Sequence, residues 1–186
     1  MKKTKQELAG FEKLWAPWRM KYIEAIDTTQ HGACIFCEKP HEHSDKKNLI
    51  VYRGETCYAI LNLFPYNNGH LLVVPYKHTC ELNDLDQATR LELLDIAQAV
   101  MDVMKKTLRT DGFNLGINFG RTAGAGIAEH LHLHIVPRWN GDTNFMPVIG
   151  GTKVISESLE DTYTKLNKSF KDILSSSAKR RAKKTI

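Results

Sequence analysis

Long apolar runs are absent from this 186-residue chain: none approaches the roughly 18 residues that a membrane-crossing helix needs, so no transmembrane segment is expected. The opening stretch, Met1 to Gly10, is basic and carries no apolar core, so a secretory signal is not expected and a cytoplasmic location is. Cysteine is scarce as well. Cys34, Cys37, Cys57 and Cys80 are expected to stay reduced in that compartment, which argues against a disulfide framework. There is no internal repeat and no linker, so a single domain is expected over residues 1–178. An excess of one charge sign is also lacking from the body. The net charge is +5, but Lys179, Arg180, Arg181, Lys183 and Lys184 supply five positive charges, and the remaining 21 of the 26 basic residues balance 21 acidic ones. The basic balance is therefore no evidence of a nucleic-acid-binding face, and residues 179–186 read as a solvated, disordered tail, with a weak electrostatic grip on RNA or acidic membranes as the alternative.

What the chain does have is concentrated in one stretch, Glu129-His130-Leu131-His132-Leu133-His134-Ile135-Val136-Pro137-Arg138-Trp139. Strict alternation of histidine with apolar residues has the period of a strand, in which successive side chains point to opposite faces. His130, His132 and His134 are expected on one face, about 6–7 Å apart, with Leu131, Leu133 and Ile135 buried on the other and Pro137 ending the pairing. A half-exposed strand that merely happens to carry imidazoles is a poor reading, because histidine is an indifferent strand former. A metal site and a catalytic site both suit the row. Alternating imidazoles offer nitrogens to zinc, and a central imidazole flanked by two others can act as nucleophile or base.

Upstream, Gly120-Arg121-Thr122-Ala123-Gly124-Ala125-Gly126-Ile127 is a loop of small residues between an apolar run and the histidines. Its backbone N–H groups can converge on an anion, although a tight turn between strands would use the same glycines. It does not open a helix, so it is neither a P-loop nor a dinucleotide fingerprint. Beside three histidines, a phosphate site is the better reading. Cys34-Ile35-Phe36-Cys37 supplies two metal ligands where a structural zinc needs four; the rest would come from His41, His43, His70, His78 or the histidine row, and otherwise the thiols are idle. Leu14 to Ile23 gathers aromatics around Pro17 and reads as an anchor for the N-terminal segment, with a place beside a base or in a dimer contact as the alternative.

Leu49–Tyr52 and Cys57–Leu61 read as a hairpin, and His70–Pro75 as a strand covered on both faces. The spacing of Leu85, Leu91, Leu94, Ala97, Met101, Met104 and Leu108 predicts a long helix over Asp84–Thr110 with those residues in the core, capped by Asn83 or Asp84 and ended by Asp111-Gly112. Phe113–Phe119 and Ala128–Pro137 complete the sheet. A last helix, about Ser156–Ser175, starts at Ser156 or Ser158 and buries Leu159, Tyr163, Leu166, Phe170, Ile173 and Leu174. The class is α+β, with a mainly antiparallel sheet, one long central helix and a C-terminal helix.

His130-Leu131-His132-Leu133-His134-Ile135-Val136 matches the H-x-H-x-H-x-x pattern of the histidine triad family of nucleotide hydrolases and transferases. Gly69-His70-Leu71-Leu72-Val73-Val74-Pro75, with His78, resembles that family's preceding strand at the expected distance. Trp15-Ala16-Pro17-Trp18-Arg19, the loop Ala123–Glu129 and Arg138–Phe145 resemble one subgroup, the prokaryotic diadenosine tetraphosphate phosphorylases. The resemblance implies a HIT-like fold, and a nucleophilic His132 that attacks the α-phosphorus of a dinucleoside polyphosphate to give a nucleotidyl-histidine intermediate. It implies that His134 and His70 line the pocket and orient or protonate, and that Asn62 meets the ribose. Asn118 and the N–H groups of Ala125 and Gly126 would hold a second phosphate, and Trp139, beside Arg138, would stack on a base or simply pack. It implies a structural zinc on Cys34, Cys37, His78 and His130, leaving Cys57 and Cys80 as buried thiols, and it implies a homodimer.

The sequence departs from the family where Gly126 and Ile127 replace the Gln or Ser often found before the triad, so only backbone can serve at Gly126. That leaves room for a second anion. Tyr76 likewise stands where a Lys is common, with the basic residue moved to Lys77. The expected activity is phosphorolysis of diadenosine tetraphosphate to ATP and ADP by inorganic phosphate. The alternatives are a hydrolase of dinucleoside polyphosphates or nucleoside phosphoramidates, and a non-catalytic nucleotide-binding regulator.

Overall fold

Two short apolar segments, Cys57–Leu61 and Leu71–Pro75, are buried at every position, and the rest of the described chain is built around them. The computed structural model describes residues 34–143, 149 and 154–183, with side chains as far as Lys171. The aromatic stretch Leu14–Ile23, and the part of Arg138–Phe145 beyond Thr143, lie outside the described residues. The elements are α1 (Ile35–His41), α2 (Asp45–Asn48), β1 (Ile50–Arg53), β2 (Cys57–Leu61), β3 (Leu71–Pro75), α3 (Gln87–Leu108), β4 (Gly112–Ile117), β5 (Leu133–Arg138) and α4 (Leu159–Lys183), with single 3-10 turns at Leu82–Asp84 and Arg121–Ala123. The strands form one antiparallel sheet in the order β1-β2-β3-β5-β4. The α+β class read from the pattern holds.

Alternation sorts the strands' side chains onto two faces. Cys57, Ala59, Leu61, Leu71, Val73, Leu133 and Ile135 pack with α3 and α4, while Tyr58, Ile60, Leu72 and Val74 pack with Phe36 of α1 on the other face. β5 presents Leu133 and Ile135 to the core face, so its alternate residues face the side that, among the described residues, α1 and nearby loops cover.

Three boundaries differ from the sequence reading. The long helix is capped by Asp86, whose carboxylate accepts from the N–H of Thr89 at 2.7 Å. Asp84 closes a 3-10 turn instead and takes the hydroxyl of Thr79 at 2.6 Å. The helix also stops earlier, at Arg109 in the left-handed region (φ 52°), and Gly112 opens β4. Within it Leu93, Ile96, Ala97, Val100, Val103 and Met104 are buried, whereas Leu91 and Leu94, expected in the core, are each 59% exposed. Leu91, Leu93 and Leu94 give this stretch two overlapping apolar phases, and contact with the sheet selects the one containing Leu93.

In α4 the hydroxyl of Ser158 accepts from the N–H of Asp161 at 3.1 Å, and Tyr163, Leu166 and Phe170 are buried as expected. The helix runs to Lys183, past the end at Ser175, and so takes in the first five residues of the basic stretch. Ile173 and Leu174 lie outside the described side chains.

The histidine row departs furthest. Only His134 lies within β5, since the strand begins at Leu133; Pro137 does not end the pairing but sits opposite Phe113. The β3–β5 ladder covers Leu71–Val73 against Ile135–Leu133, so its register would next set His132 against Val74 and then Leu131 against Pro75. Proline has no N–H to offer, and its carbonyl is taken by the His130 ring. Leu131 donates its N–H to Thr79 at 2.7 Å instead.

Candidate active site and metal cluster

Leaving the ladder early lets His130 and His132 turn to different tasks. His130 is buried, and its Nε2 lies 2.9 Å from the carbonyl of Pro75. A carbonyl only accepts, so Nε2 carries the proton and Nδ1 presents its lone pair. That Nδ1 lies 3.2 Å from Nδ1 of His78, 3.3 Å from Sγ of Cys34 and 3.6 Å from Sγ of Cys37, while Cys37 Sγ is 3.4 Å from His78 Nδ1. All four ligand atoms lie within 4.8 Å of one another. A tetrahedral zinc with bonds of about 2.0–2.3 Å holds its N and S ligands roughly 3.3–3.8 Å apart, so the donor set and its spacing fit that ion. The Pro75 carbonyl fixing the far nitrogen of a ligating imidazole completes the pattern. Burial and the neighbouring Cys34 push the Cys37 thiol up to about 11, so a thiolate there needs a cation beside it. All four cysteines are unbridged, and Cys80, expected to be buried, is exposed.

His132 is buried and donates Nδ1–H to the carbonyl of His130 at 2.7 Å. Nε2 is therefore its lone-pair nitrogen. Burial lowers its pKa, the bond to His130 only partly offsetting this, so the ring is neutral near pH 7. Phe36, inside the C-x-x-C, packs its ring 5.2 Å from His132 and 5.5 Å from His130. The cluster at Cys34 and Cys37 thus sets the wall against which the central imidazole rests.

His134 follows, its ring centroid 4.8 Å from that of His132. His70 enters from β3's start, where Gly69 has φ +71° and a Cβ would come 2.9 Å from Leu108 Cδ1, so the sharp approach needs glycine. His70 Nδ1 accepts from the N–H of Tyr66 at 3.0 Å, with the Asn62 amide at 3.3 Å. Its Nε2 therefore bears the proton and meets His134 Nδ1 at 2.9 Å. This places the His134 proton on Nε2. Tyr66 stacks on His134 at 5.8 Å and 7°; it and Phe36 are site residues that the sequence reading above does not single out. A proline-asparagine-glycine turn leading into the strand was the only signal for Tyr66.

The glycine loop joins β4 to β5. Continuing the Ile117–Leu133 register by one residue sets Asn118 across from His132 at its base. The Asn118 amide donates to Gly124 at 3.4 Å and Ala125 N–H to Gly120 at 3.3 Å, so the loop is braced by its own bonds; Ala125 is buried and Gly126 half-buried. Gly116 stands opposite His134, and a Cβ there would meet nothing within 4 Å, which leaves the face beside the imidazole open. Asn62 caps Phe64 N–H through its Oδ1 at 3.0 Å. Arg138 and Trp139 are not gathered with the histidines. Arg138 is bound by both oxygens of Asp142, at 2.6 and 2.8 Å, and by Asn114, and Trp139 donates Nε1–H to Leu108 at 3.2 Å. For Trp139 that is the geometry of packing.

A row of imidazoles with assigned tautomers, a glycine loop at its edge and a Cys₂His₂ cluster behind it is the site that this α+β sheet assembles. The chain matches the HIT domain over residues 43–141, and it belongs to the HIT family. It is 46% identical over 157 residues to an AP-4-A phosphorylase of Mycobacterium tuberculosis, a match covering 81% of this chain and 80% of that one. Among solved structures it resembles a zinc-bound histidine triad family protein from Mycobacterium smegmatis (TM-score 0.63, 27% identity, 77% of this chain and 97% of the other). A histidine triad nucleotide-binding protein from Sulfolobus tokodaii superposes with TM-score 0.61 at 31% identity, over 75% of this chain and 93% of the other. No helix among the described residues is long and apolar enough to cross a membrane.

Proposed function

We propose that this chain transfers an adenylyl group from diadenosine tetraphosphate to inorganic phosphate, releasing ATP and ADP. The observation that carries the reading is the bond from His132 Nδ1 to the His130 carbonyl, which leaves a buried, neutral ring with its Nε2 lone pair available. Nε2 attacks the α-phosphorus, and the bond to the bridging oxygen breaks. The departing ATP leaves as its anion, accepting a hydrogen bond from His134 Nε2–H on the oxygen where charge develops, while His70 Nε2–H holds the His134 ring in that tautomer. Phosphate then attacks the same phosphorus, the N–P bond breaks, and ADP leaves with His132 restored. Asn118 and the N–H groups of the loop at Ala125 and Gly126 hold the neighbouring phosphate, the Asn118 and Ala125 donors exchanging their long bonds to Gly124 and Gly120 for it, and Asn62 meets the ribose. The 46% identity to a phosphorylase favours phosphate over water as acceptor.

Zinc on Cys34, Cys37, His78 and His130 is structural in this reading: with all four ligand positions filled by protein, it clamps α1 and Phe36 against the histidines. Two chains pair through β4, the terminal strand of the sheet, where Leu115 and the following Phe119 are exposed. The protein works in the cytoplasm. The deciding experiment is the product distribution from diadenosine tetraphosphate with and without phosphate. ATP plus ADP only when phosphate is present supports phosphorolysis; AMP plus ATP regardless of phosphate makes the chain a hydrolase.

A further inference from the structure

Arg138 stands apart from the imidazoles, yet its partner Asp142 is tied to one of them through the side chain of Asn67. Asn67 lies three residues before His70, and Pro137 three residues after His134. The Asn67 amide donates through Nδ2 to the carbonyl of Pro137 at 3.0 Å and to Oδ2 of Asp142 at 2.8 Å. The first of these bonds is a second rung between the two segments that His70 and His134 already join at 2.9 Å.

The oxygens of Asn67 hold the turn itself. Oδ1 accepts from the N–H of Asn68 at 3.1 Å, and the backbone carbonyl accepts from the N–H of His70 at 3.1 Å. Asn67 thus gives both amide protons to β5 and the segment after it, and both oxygens to the turn that delivers His70. Asp142 is a firm anchor for that amide. Its carboxylate also takes the Arg138 guanidinium at 2.6 and 2.8 Å and the N–H of Trp139 at 3.2 Å. Tyr66, whose N–H fixes the His70 tautomer, immediately precedes Asn67. A shift of Asn67 therefore moves both the donor that sets the His70 proton and the backbone that carries its ring. Hydrogen bonds weaken steeply with misalignment, and a displacement of about 1 Å at a reacting centre can cost up to about 10²-fold in rate.

We propose that Asn67 and Asp142 are positioning residues for the transfer. Through the turn they hold the His70 ring where its Nε2–H meets His134, and so keep the His134 N–H aimed at the leaving oxygen. The assignment rests on the nucleotidyl-transfer reading of the site, and it gives Arg138 and Asp142 a part in that reaction that requires neither to touch the nucleotide.

The test is a double-mutant cycle between positions 67 and 70, read by turnover of diadenosine tetraphosphate with phosphate and by calorimetric titration of the full-length protein with AMP. Asn67→Ala and Asn67→Asp are each expected to lower kcat about tenfold while AMP affinity stays within about twofold. Asn67→Asp keeps the oxygen that accepts from Asn68, but it has no N–H for Pro137 and sets a second carboxylate against Asp142. It therefore removes the tie to β5 and leaves the turn's own bond. In the His70→Gln background either substitution is expected to cost less than about twofold further, because the ring it helps to hold is gone. Asp142→Ala breaks the tie from the other side and is expected to repeat the pattern, which keeps the test open should a position-67 variant fail to fold. Losses that multiply with that of His70→Gln, or an unchanged kcat in Asn67→Asp, overturn the assignment while leaving the transfer reading standing. No turnover by the unsubstituted protein overturns the transfer reading and the assignment with it.

Discussion

His70 Nε2 and His134 Nδ1 lie 2.9 Å apart, joining two strands through a pair of neutral rings whose protons are dictated by their other partners. Because Tyr66 N–H and the Asn62 amide occupy His70 Nδ1, His70 can only donate to His134, and His134 can only present N–H at Nε2.

Replacing His70 by Gln breaks this order without removing the nucleophile. kcat is expected to fall by about 10²-fold while AMP affinity stays within about twofold, since the His134 N–H that meets the leaving oxygen is no longer fixed and binding is not affected. Steady-state kinetics beside calorimetry checks it; a proportional loss in both would mean that His70 only shapes the pocket.

The covalent step has its own signature. Rapid quenching at alkaline pH, in the absence of phosphate, is expected to leave an adenylyl group on the wild-type chain, located to His132 by peptide mass spectrometry. His132→Ala should show no adduct and no turnover yet still bind AMP. Normal turnover by that variant would remove His132 as the nucleophile.

Purified protein is expected to carry about one zinc per chain. Cys37→Ser or chelation should lower the melting temperature by roughly 6–12 °C, as expected for a loss of about 3 kcal/mol or more from a chain of this size. Metal-free protein that melts unchanged would refute the structural role.

The Asp142 side chain is 8% exposed, and the Arg138 guanidinium, with Trp139 N–H and the Asn67 amide, holds its pKa down at about 2 against an ordinary 3.8. A depressed carboxyl contributes stability above its unfolded pKa and loses it as pH falls. The wild type should therefore lose about 1–2 kcal/mol between pH 4 and pH 2 from this group, a figure reduced for screening because Arg138 is 44% exposed. In Asp142→Asn that loss is expected to vanish, together with a lower stability at pH 7. Urea melts across the pH series give the comparison.

The sequence by itself determined the class and the strands β2 and β3, and it named His70, His132 and His134, whose rings the fold brings together. Those signals are local: alternation for strands, a polar residue before a helix, a histidine at every second position. It also determined the four-residue cluster of Cys34, Cys37, His78 and His130, although only through resemblance, since nothing in the spacing of residue 34 from residue 130 places them together. Only the tertiary structure decided which apolar phase of α3 is buried, because Leu91 and Leu94 are as apolar as Leu93 and the sheet alone distinguishes them. It decided too that the three histidines do not share one ladder. Pro75, 55 residues away in sequence, ends the pairing where His130 and His132 would have joined, and so frees one ring to face the thiols and the next to hold its Nε2 open. The tautomers follow from carbonyls and N–H groups that only folding brings within 3 Å, which is why the chemistry of each imidazole could not be read from its place in the row.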